Sequence, residues 1–87
     1  NLQRLFPVKV GEEPAEMHAI DLELEKQARA RLLRGITLTI AKDDHGTRQL
    51  LEKILENEED AIDWLETQLH LIQELGRERY LAEQMHE

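Results

Sequence analysis

The chain has no cysteine, and its 87 residues include only one phenylalanine, one tryptophan and one tyrosine. Without cysteine there are no disulfides, thiolate zinc sites or iron–sulfur clusters. Three aromatics, Phe6, Trp64 and Tyr80, offer little bulk for a self-sufficient core, and at this length one domain is the ceiling. No apolar run approaches the roughly 18 residues that span a bilayer, and no basic segment leads into an apolar core as in a secretory leader. A soluble, cytoplasmic protein with no membrane partner is expected. Basic residues are the minority, 11 Lys and Arg against 19 Asp and Glu, for a net charge of −8. Nucleic-acid binding needs clustered Lys and Arg and is therefore not expected. The chain opens on Asn1 rather than methionine, which suggests a fragment or a processed chain.

What is present is helical periodicity. Residues 1–13 carry Pro7, Gly11 and the alternation Phe6, Val8, Val10, and read as an extended arm. Pro14 suits a first helical turn, where its missing N–H costs nothing, and Glu12 and Glu13 favour the positive end of the helix dipole. A helix is expected over 14–42, with Met17, Ile20, Leu24, Ala28, Leu32, Ile36 and Ile40 recurring at threes and fours. Gly35 weakens it by about 1 kcal/mol. The stretch from Lys42 to Thr47 is the one internal breaker, a tight turn between antiparallel helices. A second helix over 44–75 carries Leu51, Ile54, Glu58, Ala61, Leu65, Leu69 and Ile72 and ends at Gly76, read as a left-handed cap. Residues 77–86 suffice for one short helix. Each long helix would reach about 45 Å at 1.5 Å per residue. A hairpin of that length buries one stripe per helix and leaves its flanks open, so a four-helix bundle completed by helices from another chain is expected. No internal repeat makes two copies an obvious solution, and homodimerisation remains an alternative.

Most charges fall on polar faces and read as solvated. Glu58 does not: Ile54 lies four before it, Ala61 three after and Ile62 four after. A helix that buries this stripe buries a carboxylate, which must find a partner or take up a proton. The alternatives are a protonated or Arg-paired glutamate and a metal ligand. Like charge concentrated in Glu56, Glu58, Glu59, Asp60 and Asp63 repels itself unless cations attend it, which favours metal. Glu25, beside the first helix's stripe, could also point inward. It lies farther from the turn than Glu58, so the two would not be level.

The strings GEEPAEMHAIDLELE (Gly11 to Glu25) and ILENEEDAIDWLETQLHLIQELG (Ile54 to Gly76), with NLQRL at the start, closely resemble the second half of bacterioferritin, without gaps and over the whole chain. The resemblance implies an all-α, ferritin-like four-helix bundle, to which this chain supplies the crossover arm, two long antiparallel helices and a short C-terminal helix. It implies an iron-storage function in hollow shells of about two dozen subunits, homo- or hetero-oligomeric 24-mers. Such shells take up Fe(II), oxidise it with dioxygen at a di-iron site and keep the ferric mineral inside. A haem b, held by methionine, is expected between paired subunits, the N-terminal half of the subunit is expected as a separate chain, and a ferredoxin-type reductant would release iron.

Residue by residue, the resemblance places Glu25 as a carboxylate ligand of one iron and Glu58 as the carboxylate bridging both. These two are the expected catalytic and metal residues. The family then places a histidine three residues on, because Glu-x-x-His projects both side chains from one helix face. Here that residue is Ala61. An impaired ferroxidase site is therefore expected. The alternatives are a structural, haem-carrying subunit in a mixed shell and a metal-free helical interaction module. Asp63 matches an acidic position near an iron-entry pore, with a plain exposed aspartate as the alternative, and Arg48 matches an arginine near a three-fold contact. The haem methionine falls outside this sequence, so Met17 and Met85 read as core filler and tail. His18, His45, His70 and His86 read as surface histidines, and Trp64 and Leu65 as packing residues.

Overall fold

The computed structural model describes residues 13–85; the expected arm up to Glu12, and His86, lie outside them. Among the described residues three helices follow one another: α1 (Pro14–Ala41), α2 (His45–Leu75) and α3 (Arg77–Gln84). The long pair, 28 and 31 residues, forms an antiparallel hairpin within a body of 51 × 20 × 17 Å.

Local chemistry sets each boundary. Pro14 opens α1 and is itself buried. At the other end Asp43 adopts φ 54°. Its N–H reaches Ile40 O at 3.2 Å while that of Asp44 reaches Thr39 O at 2.9 Å, the paired bonds that close a helix through a left-handed residue. Asp44 then caps α2, its Oδ1 accepting from Thr47 N–H at 3.1 Å. Hydrogen bonding from the Thr47 side chain first, and from this backbone N–H second, lowers its carboxyl from the ordinary value. One residue therefore stops α1 and the next starts α2, which keeps the helices antiparallel. Between α2 and α3, Gly76 sits at φ 84°, ψ 161°. That is an extended, glycine-only region rather than the left-handed cap expected from the sequence, and the single residue both ends α2 and starts α3.

The packed face of α1 differs from the stripe read in the sequence. Ile20, Leu24 and Ile40 are 58%, 57% and 54% exposed. The residues turned inward are Pro14, His18, Asp21, Leu22, Glu25, Ala28, Leu32, Ile36 and Thr39. Each step of four overshoots a full turn by about 40°, so a run of such steps winds around the helix and one partner covers only part of it. On α2 the expected stripe is largely the packed one: Ala61 and Leu65 are buried, with Leu69 and Ile72 half-buried. Leu65, at 0% exposure, is the centre of the hairpin, a burial worth about 1.5–3 kcal/mol. Ile54 lies at the rim. Large apolar side chains including Leu33, Leu38 and Leu50 remain exposed, so the hairpin leaves much of its apolar surface uncovered.

Candidate metal-binding site

The cross-helix register follows from three contacts. Arg29 Nε donates to Glu59 Oε2 at 3.0 Å, Lys26 Nζ lies 3.9 Å from Glu66 Oε2, and a Cβ on Gly35 would meet Leu51 Cδ1 at 3.1 Å. Moving from Arg29 back to Glu25 in an antiparallel pair means moving forward from Glu59 by the same four residues, to Asp63. The Gly35–Leu51 contact brings Glu25 level with Ala61. Glu25 therefore stands beside the Ala61–Asp63 turn of α2, and Glu58 beside Ala28, about one helical turn or some 5 Å along the axis. Both carboxylates are half-buried on packed faces, but they are not level. Ala61 is the α2 position across from Glu25, one helical turn from Glu58 on the same helix.

Glu58 carries a polar atom that the fold leaves unsatisfied. Its Oε2 is buried and has no hydrogen-bond partner. The groove it lines, about 280 Å³, is otherwise walled mainly by Ala28, Leu32, Gly35, Leu51 and Ile54, with Arg31 as the one cationic side chain. A shielded, acceptor-only oxygen without a donor is the kind of group a cation would satisfy. Among the described residues no group of three or more His, Asp and Glu side chains is placed to hold a metal ion. Asp63 lies away from Glu58, exposed in a second groove of about 420 Å³ shared with Ile62 and framed by the Arg29–Glu59 and Lys26–Glu66 pairs.

A second polar cluster was missed in the sequence. His18, read there as a surface residue, is 1% exposed. Its Nε2 lies 3.1 Å from Tyr80 Oη, which in turn donates to Gln68 Oε1 at 2.7 Å. The His18 ring also meets Trp64 edge-on, centroids 5.5 Å apart. Burial pushes the imidazole below its ordinary value, partly opposed by the charge of Asp21, and burial pushes the Tyr80 phenol up. One signal was available: His18 lies four residues after Pro14, on the face that continues through Leu22, Glu25 and Leu32. An apolar count skips it because histidine does not score. His45 and His70, by contrast, are exposed.

The chain matches the ferritin-like domain of the ferritin family over residues 2–75. It is 49% identical over 82 residues to the bacterioferritin of Streptomyces coelicolor, covering 94% of this chain and 49% of that protein. It is 42% identical over 83 residues to the bacterioferritin of Mycobacterium leprae, covering 95% and 52%. With the bacterioferritin of Brucella melitensis it shares 38% identity over 80 residues, covering 92% and 50%. The chain thus spans about half the length of the curated relatives it matches.

Proposed function

The chain belongs to the ferritin-like family, and from that premise we propose that it forms the second half of an iron-storage subunit of the bacterioferritin kind, with a weakened iron-oxidising centre. The observation that carries this reading is Glu58 Oε2, buried without a donor on a packed helix face at the bridging position of the family motif. The exposed Ile20, Leu24 and Leu38 are read as surface that the rest of such a subunit covers, whether on the same chain or a separate one, within a hollow shell.

In this reading Fe(II) is the substrate. The net charge of −8 draws it toward the protein, an attraction that falls with ionic strength. Asp63 is the proposed point of entry, although Lys26 and Arg29 line the same groove and oppose a cation there. Glu58 and Glu25 then offer hard oxygen ligands, with the remaining ligands coming from outside this chain. A histidine at 61 would add a nitrogen donor level with Glu25; Ala61 adds none. Iron held by fewer ligands binds more weakly, so oxidation by dioxygen slows while storage in the shell persists. Haem is expected from the part of the subunit beyond this chain. Neither methionine here matches its ligand: Met85 is 70% exposed after α3 and Met17 is half-buried on α1. A second reading, a structural subunit in a mixed shell whose other subunits oxidise iron, is favoured by the same Ala61.

The test uses the intact assembly containing this chain, supplied with Fe(II) under air, with oxidation followed by oxygen uptake and iron retention by sedimentation. Ala61→His is expected to raise the initial oxidation rate by at least about tenfold, the lower end of what even outer-shell metal partners contribute. Equal rates would refute the weakened centre, and failure to retain iron would refute storage.

A further inference from the structure

We propose that His18 is an acid-sensitive latch that holds α3 against the two long helices while neutral and lets it go when protonated. This inference stands apart from the iron chemistry. It rests on how eight residues, Arg77–Gln84, stay docked. A helix that short does not persist unaided in water. Its two buried side chains are Tyr80, 2% exposed, and Leu81, 4%. The Tyr80 hydroxyl is bonded to one partner on each long helix: Gln68 on α2 and His18 on α1.

The proton inventory fixes the state of the ring. Tyr80 has one hydroxyl hydrogen and gives it to Gln68 Oε1, so toward His18 its oxygen can only accept. His18 Nε2 must therefore carry the donating hydrogen, and a neutral imidazole then leaves Nδ1 bare. Nδ1 is indeed buried with no partner. A second proton can only land there, in a pocket that provides no acceptor bonded to it.

Few charges face this ring. From α1 there is Asp21, one turn on, whose Oδ2 is also buried and unpartnered. From α2 come the edge of Trp64 and the uncharged Gln68. From α3 comes Tyr80, and Arg77 at its start is paired with Glu13 at 3.3 Å. Asp21 alone favours an imidazolium, and burial outweighs it, so the folded ring holds its proton less well than a free histidine. The sign follows. Above the unfolded value, about 6.5, both states are neutral and docking is fully stable. As pH falls through that value toward the lowered one, the undocked state binds the proton first and docking weakens. The charged ring gains most by leaving Tyr80 for water, with the Asp21 carboxylate as its counter-charge, and α3 loses its tie to α1.

The experiment is hydrogen exchange read by mass spectrometry on the intact assembly from pH 8 to 5, with each rate normalised to its intrinsic chemical rate. Tyr80 N–H, which bonds to Gly76 O at 3.0 Å, and its neighbours in α3 report docking. Normalised exchange in α3 is expected to rise as pH falls below 6.5, by up to about tenfold per unit, the limit for one linked proton, while the Leu65 region of α2 stays protected. His18→Gln keeps a donor for Tyr80 but cannot titrate, and should leave α3 exchange flat across the range. Tyr80→Phe should expose α3 already at pH 8. A flat wild-type profile, a His18→Gln profile that still rises, or a Tyr80→Phe variant as protected as wild type would each overturn the latch.

Discussion

Replacing Glu58 by leucine should make the metal-free protein more stable and the metal-loaded protein less so. Glu58 Oε2 is buried without a hydrogen-bond partner, and an unsatisfied buried polar group costs about 1–3 kcal/mol. The residue is half-buried and only this one of its oxygens is buried without a partner, so the lower end applies. Leucine would meet Ala28, Leu32, Leu51 and Ile54 in the groove and add apolar burial in place of a stranded charge. Glu58→Leu should therefore gain about 1–2 kcal/mol after chelation, read as a higher denaturant midpoint with an unchanged slope. With Co(II), a stand-in that does not oxidise under air as Fe(II) does, at a hundred times its dissociation constant, the wild type gains about 2.7 kcal/mol and a variant without the site gains nothing. The order of stabilities thus reverses when metal is added. A leucine variant that is weaker than wild type without metal would show that the oxygen is satisfied. One that keeps the Co(II) shift would show that Glu58 is no ligand.

Two further outcomes test the fold. Leu65→Ala empties the centre of the hairpin, where the side chain is 0% exposed, and should cost about 2–5 kcal/mol in denaturant unfolding, the larger part if the long helices cannot close on the cavity. A loss under 1 kcal/mol would place the core elsewhere. Asp43→Gly removes the steric cost of a side chain at φ 54° and should gain about 1 kcal/mol, since the left-handed conformation costs non-glycine residues roughly 1–2 kcal/mol. A neutral or destabilising result would mean that the Asp43 side chain contributes interactions offsetting that cost.

The helices were legible because their signals are local. Pro14 presets its own φ, Asp44 caps through its own side chain, and Asp43 and Asp44 close one helix and open the next within four residues. The inward face of α1 was less legible. The apolar residues at steps of four drift around the helix, so the run from Met17 to Ile40 spans more than one face. Which part is covered depends on where α2 lies. Glu58 was recognisable as misplaced because its neighbours at three and four are apolar, a pattern that needs no partner to be read. That Glu25 and Glu58 stand a turn apart, with Ala61 level with Glu25, required the cross-helix register.

By itself the sequence determined the all-α class, the hairpin and its turn, the family and the carboxylate that lies on a packed face, since each rests on spacing within one segment or on the string of residues itself. Only the tertiary structure decided that Glu58 Oε2 is left without a donor, that Ile20 and Leu24 are uncovered, and that His18 is interior. His18 meets Tyr80 across 62 positions of sequence, and no periodicity within α1 encodes what α3 brings to it.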